Sequence, residues 1–121
     1  MRTIPYFIND ERVEGEGDLL VFNPATGDVN AHVPIANAQL VDDVVAIARN
    51  AAQSWRNSSL SQRTNVLFTL RQLLVEHADE LAALITQEHG KTIADAKGEL
   101  ARGLENVEYA CGLTEHMKGQ F

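Results

Sequence analysis

Cysteine is nearly absent: Cys111 is the single one in 121 residues. No internal disulfide can form, so a small disulfide-stapled scaffold is excluded and a reducing, cytoplasmic setting is expected. Long apolar runs are missing too. Nothing approaches the ~20 residues that span a bilayer, and Met1 to Tyr6 lacks the apolar core of a secretory signal, so no membrane partner is expected. Basic charge is scarce, with Lys and Arg numbering 10 against 17 Asp and Glu for a net charge of −7. That balance argues against nucleic acid and anionic membrane surfaces, both of which require a basic patch. No glycine-rich phosphate loop, nucleophile elbow or paired-acid cleft is present. The histidines His32, His77, His89 and His116 show no paired ligand spacing, and no second cysteine assists them; no metal site is expected.

What is present is enough apolar material for a core, 45% of the chain, in about one small domain by length. The chain reads in two zones. Over residues 1–35, Tyr6-Phe7-Ile8 meets Asn9-Asp10, a pair that tolerates left-handed turns, and resumes at Val13. Leu19 to Phe22 then meets Asn23-Pro24-Ala25-Thr26-Gly27-Asp28, after which Val29, Ala31 and Val33 alternate with Asn30 and His32. This zone predicts a small antiparallel β-meander, marginal without a covering layer.

From Asn37 the apolar period becomes helical. Asn37 is a candidate N-cap for a helix with Val41, Val44, Ala48, Ala51 or Ala52, and Trp55 on one face. Ser59 or Ser61 caps a second helix with a broad stripe of Val66, Leu67, Leu70, Leu73 and Leu74. A break near "EHADE" precedes a third segment ending at Gly90. Thr92 to Asp95 reads as a capping box with Asp in the usual Glu place, opening a last helix with Ile93, Ala96, Leu100, Leu104, Val107 and Cys111 on one face. The fold class expected is α+β, mostly helical: a meander over 1–35 and helices over 36–121.

Gly90-Lys91-Thr92 ends like a Walker A phosphate loop, but the loop needs a glycine five residues earlier, where Ile85 stands. The triplet reads instead as punctuation: a left-handed glycine, a lysine facing the carbonyl end of a helix, and an N-cap. Cys111 lies on an apolar stripe, late in its helix and without a histidine on its own face, so it reads as a core cysteine. Arg102 is flanked by Glu99 and Glu105 at i,i+3 spacing. One reading is a solvated, salt-bridged face. The other is a forked donor for a substrate carboxylate, made less idle by mid-helix Gly103, which costs ~1 kcal/mol and often marks a close approach. Pattern alone favours the first.

"FIND", "FNPATGDV", "AAQSWRN", "LRQLLVEHADELAALITQEHGKT" and "GELARGLENVEYACG" occur in this order. Together they resemble the N-terminal part of the aldehyde dehydrogenase superfamily, and Gly98 to Glu108 resembles its CoA-acylating methylmalonate-semialdehyde (malonate-semialdehyde) branch. The resemblance implies the N-terminal part of an α/β aldehyde dehydrogenase fold. It implies an enzyme that uses NAD to oxidise a semialdehyde through a cysteine thioester, with decarboxylation and transfer to CoA, in a homo-oligomer. It also implies that Arg102 binds the substrate carboxylate, which favours the second reading of that residue. Family members run several times longer. The expectation is therefore that 1–121 is an N-terminal segment, that the Rossmann core and catalytic domain are absent, and that no catalytic or cofactor-binding residue lies in this chain. The competing expectation is an autonomous, non-catalytic helical dimerisation module.

Overall fold

The computed structural model describes residues 2–17 and 19–119. The chain divides into two compact units, Met1–Asn57 and Ser58–Phe121.

The first unit holds strands β1 (Arg2–Thr3), β2 (Tyr6–Ile8), β3 (Glu11–Val13), β4 (Leu19–Phe22) and β5 (Val29–Val33), then helix α1 (Ala38–Arg56). Asn9 and Asp10 both take positive φ, 52° and 66°, which gives the two-residue hairpin twist that joins β2 to β3 in antiparallel register. At the second turn the Asn23 side chain accepts the Ala25 N–H at 2.9 Å. The Asn23 carbonyl accepts the Gly27 N–H at 2.8 Å, with Gly27 at φ 79°. That turn pairs β4 with β5 antiparallel, with a bulge where Phe22 aligns with Val29.

The two hairpins expected are therefore present, but among the described residues β3 does not pair with β4, so the strands form two sheets and not one continuous meander. One is the β2–β3 hairpin; the other has the order β1-β5-β4. Strand β1 joins β5 in parallel, Arg2 opposite Ala31 and Thr3 opposite His32. A parallel neighbour needs a long intervening connection, here the whole of β2 to β4, so no local signal announces it. The Thr3 hydroxyl and His32 Nε2 hydrogen-bond at 2.8 Å, and Ala31 is the buried centre of this sheet. Asn37 caps α1, its side chain accepting the Leu40 N–H at 2.8 Å.

The second unit holds α2 (Leu60–Glu76), α3 (Ala78–His89), α4 (Ile93–Cys111) and the single turn α5 (Leu113–His116). Ser59 caps α2 in a full capping box with Gln62. The break expected near "EHADE" is His77, the one residue between α2 and α3. Helix α4 packs on both α2 and α3. Ala82 of α3 and Ala96 of α4 are each 0% exposed. The broad stripe of α2 divides: Leu67 and Leu74 turn inward, half-buried, while Val66, Leu70 and Leu73 stay exposed. Among the described residues no helix is long and apolar enough to cross a membrane.

Candidate functional site

Helix α4 carries Arg102, and its position is set by the corner before it. Gly90 ends α3 in the left-handed conformation, φ 79°, its N–H donating to the Thr86 carbonyl at 2.8 Å. Thr92 then caps α4: its Oγ1 accepts the Asp95 N–H at 3.2 Å and donates to Asp95 Oδ2 at 2.9 Å. The expected box is half made. The Asp carboxylate, one methylene shorter than Glu, takes its bond from the Thr92 hydroxyl.

Lys91 differs from expectation in a way that matters for Arg102. It does not rest on helix carbonyls; its Nζ lies 2.6 Å from Glu99 Oε2, with its side chain the more covered of the pair. The hydrogen bond and charge of Lys91 hold the Glu99 carboxyl below the usual carboxylate range, with smaller contributions from His89 and Arg102. Glu99 is thus engaged across the corner, eight residues away. The i,i+3 pairs expected between Arg102 and Glu99 or Glu105 are not made. No ion pair among the described residues includes the Arg102 guanidinium, which is exposed. Its carbonyl accepts the Asn106 side-chain amide at 2.9 Å.

Gly103 stands in open space: a Cβ added there would meet nothing within 4 Å. It lines a shallow groove of about 450 Å³ with Ile85, Glu88, His89, Glu99 and Leu100. The close approach that a mid-helix glycine suggests has no partner among the described residues.

Two further ion pairs hold α4 in place. Lys97 Nζ meets Asp79 of α3 at 2.6 Å, and its hydrogen bond and charge lower the Asp79 pKa. The Arg71 side chain of α2 donates to Glu108 at 2.8 Å. Helical spacing puts Glu108 on the solvated face but gives no sign of these partners, which lie on other helices. Cys111 ends α4 half-buried, and the His116 ring stacks on Tyr109 with centroids 4.3 Å apart. Among the described residues no group of three or more His, Cys, Asp or Glu is placed to hold a metal ion.

Gly90-Lys91-Thr92 does not fit a dinucleotide phosphate. The lysine is spent on Glu99 and the Thr92 hydroxyl on Asp95, which leaves neither to an anion. What α4 offers chemically is the exposed Arg102 guanidinium, in no ion pair among the described residues.

The strand-and-turn unit, the helix corner and the α4 motif together are those of one family. A model described as "Aldehyde dehydrogenase family" matches residues 12–121, and the chain belongs to that family. Within it, the chain is similar to the malonate-semialdehyde dehydrogenase of Pseudomonas aeruginosa, 43% identical over 122 residues, covering 100% of this chain and 24% of that protein. It is also 43% identical to the malonate-semialdehyde dehydrogenase of Listeria innocua, over 98% of this chain and 25% of that protein. Among solved structures it resembles a protein of Sinorhizobium meliloti assigned as a methylmalonate-semialdehyde dehydrogenase and complexed with NAD. The TM-score is 0.95 and the identity 36%, covering 100% of this chain and 25% of the other. Aldehyde dehydrogenase 21 of Physcomitrella patens, solved with the reaction product succinate, matches with TM-score 0.89 and 30% identity over 98% of this chain and 25% of its own. The chain spans about a quarter of the length of the relatives it matches.

Proposed function

We propose that this chain is the N-terminal segment of an NAD-dependent, CoA-acylating semialdehyde dehydrogenase, and that Arg102 binds the substrate carboxylate. The observation that carries the reading is the stretch from Gly98 to Glu108, folded as about three turns of α4, with the Arg102 guanidinium in no ion pair among the described residues. The relatives support it, since their names specify an aldehyde that bears a carboxylate. A planar guanidinium meets a carboxylate through two parallel N–H···O bonds, so a free Arg selects such a substrate over a plain aldehyde. In this reading the Rossmann core, the catalytic domain and the residues that hold NAD and CoA belong to the three-quarters of the relatives' length that this chain does not span. Oxidation at a cysteine, decarboxylation and transfer to CoA would take place there, in a homo-oligomer of the cytoplasm.

Surface area supports the segment reading. The chain exposes 9213 Å². A monomeric protein of this mass exposes roughly 6,500 Å², and two separate domains of half the mass about 7,800 Å². Even counted as two domains the chain is over-exposed, and the excess includes large apolar side chains such as Phe7, Phe22, Phe68 and Tyr109. Faces of this kind in a folded chain await cover.

The test is made in an enzyme that contains this segment. Arg102→Leu removes a charge-assisted interaction of about 1.5–3 kcal/mol. It should raise KM for the carboxylated semialdehyde by about 10- to 150-fold and leave propanal nearly unchanged. Equal effects on both aldehydes would make Arg102 a structural residue.

A further inference from the structure

Arg102 has two carboxylates at helical reach on α4, Glu99 three residues before it and Glu105 three residues after. Residues at that spacing have Cβ atoms about 5–6 Å apart, close enough to pair. Glu99 is the better placed competitor. A helical side chain leans toward the N-terminus, which carries Arg102 toward the turn of Glu99, and an acid on the N-terminal side of its base is the better order on a helix. The guanidinium charge does reach Glu99, adding a small downward push to its carboxyl pKa. Yet no ion pair among the described residues joins the two. The Glu99 carboxylate is held instead by Lys91, Nζ to Oε2 at 2.6 Å, with the lysine side chain 22% exposed and the glutamate 49%.

The corner supplies the lysine. Gly90 at φ 79° ends α3 and Thr92 caps α4, so Lys91 stands between the two helices and reaches a residue eight positions on. A substrate carboxylate and Glu99 are alternative partners for one guanidinium. Whatever fraction of molecules has Glu99 on Arg102 is lost to substrate, and the apparent affinity falls in proportion. We infer that Lys91 is a positioning residue for the substrate site: by occupying Glu99 it leaves the Arg102 guanidinium to the substrate's carboxylate. The inference rests on the carboxylate-binding reading of Arg102 and adds the residue that keeps that arginine available. It gives the Gly90-Lys91-Thr92 corner a part in substrate selection besides its part in ending one helix and starting the next. His89 is the other cation whose charge acts on Glu99. A histidine is ordinarily mostly neutral by pH 8, so at that pH Lys91 and Arg102 are the cations left to compete for this carboxylate.

The test is a double-mutant cycle in an enzyme that contains this segment, at pH 8 and low salt, where exposed ion pairs are least screened. Lys91→Met should raise KM for the carboxylated semialdehyde about two- to sixfold, the effect of an exposed helical pair competing for Arg102. Propanal, which has no carboxylate, should be unaffected, and Lys91→Arg should hold KM for both aldehydes. In a Glu99→Gln background the same Lys91→Met should change KM by less than about 1.5-fold, because the competing carboxylate is gone. A KM unmoved by Lys91→Met would overturn the inference. So would a rise shared by propanal, the mark of a corner that only supports the fold. A rise that persists in the Glu99→Gln background would overturn it too, since it would reflect plain loss of positive charge. Arg102→Leu in the same enzyme tells the failures apart. If it is selective for the semialdehyde, the reading of Arg102 stands when the Lys91 result fails; if it is unselective, both fall.

Discussion

Helices α1 and α4 each have 19 residues, each begins at a side-chain N-cap, and each is amphipathic. One is built into its unit and the other is not. Helix α4 has Ala96 at zero exposure, half-buried Leu100, Leu104 and Val107, and ion pairs reaching to α2, to α3 and to the corner between α3 and α4. Helix α1 buries no residue at all. An isolated helix of this length is marginal in water, and most helical stability comes from packing of the apolar face. The contrast teaches that an amphipathic period announces that a face will be covered, without saying by what. In α4 the cover lies inside the same unit. In α1 only Leu40 and Val44 are half-buried, and every other residue of the helix is exposed.

The same chemical change placed on each helix should break the comparison most visibly. Ala96→Leu forces three extra carbons into a fully covered position and should destabilise the second unit by about 1–3 kcal/mol. Ala48→Leu on α1 should move stability by no more than about 0.5 kcal/mol. Urea unfolding followed by circular dichroism reads both, and similar costs would mean that α1 is packed after all.

A smaller effect sharpens the electrostatic side. Asp79 and Glu99 both have lowered pKa values because Lys97 and Lys91 favour their charged forms. The stability they confer is present above the ordinary carboxylate pKa and is lost as pH falls through the lowered values, below about 4.5. The melting temperature should therefore drop on acidification through that window. In the double variant Lys91→Met/Lys97→Met the acid dependence should flatten. An unchanged slope would show that these exposed pairs contribute nothing to holding α4.

Local features are legible in the sequence. Asn37, Ser59 and Thr92 cap the helices expected of them, Gly90 is left-handed, and Asn9-Asp10 turns the first hairpin. Each depends on a few neighbouring residues and known backbone preferences. Long-range features are not legible there: the parallel seat of β1 beside β5, the Arg71–Glu108 and Asp79–Lys97 pairs, and the division of the α2 stripe into a covered and a bare edge. Spacing cannot encode which helix stands opposite. For Arg102 the i,i+3 rule points to Glu99, and a lysine across a glycine corner takes that carboxylate instead. The unpaired guanidinium follows from tertiary structure; the carboxylate-binding role proposed for it rests on the resemblance of the stretch around it.

The central claim is that this chain carries part of a substrate site and none of the chemistry. The most direct measurement is NADH absorbance at saturating NAD and CoA, with malonate or methylmalonate semialdehyde, for the purified 121-residue chain alone. The account predicts no NADH above the enzyme-free control. Sustained turnover by the chain alone would contradict it.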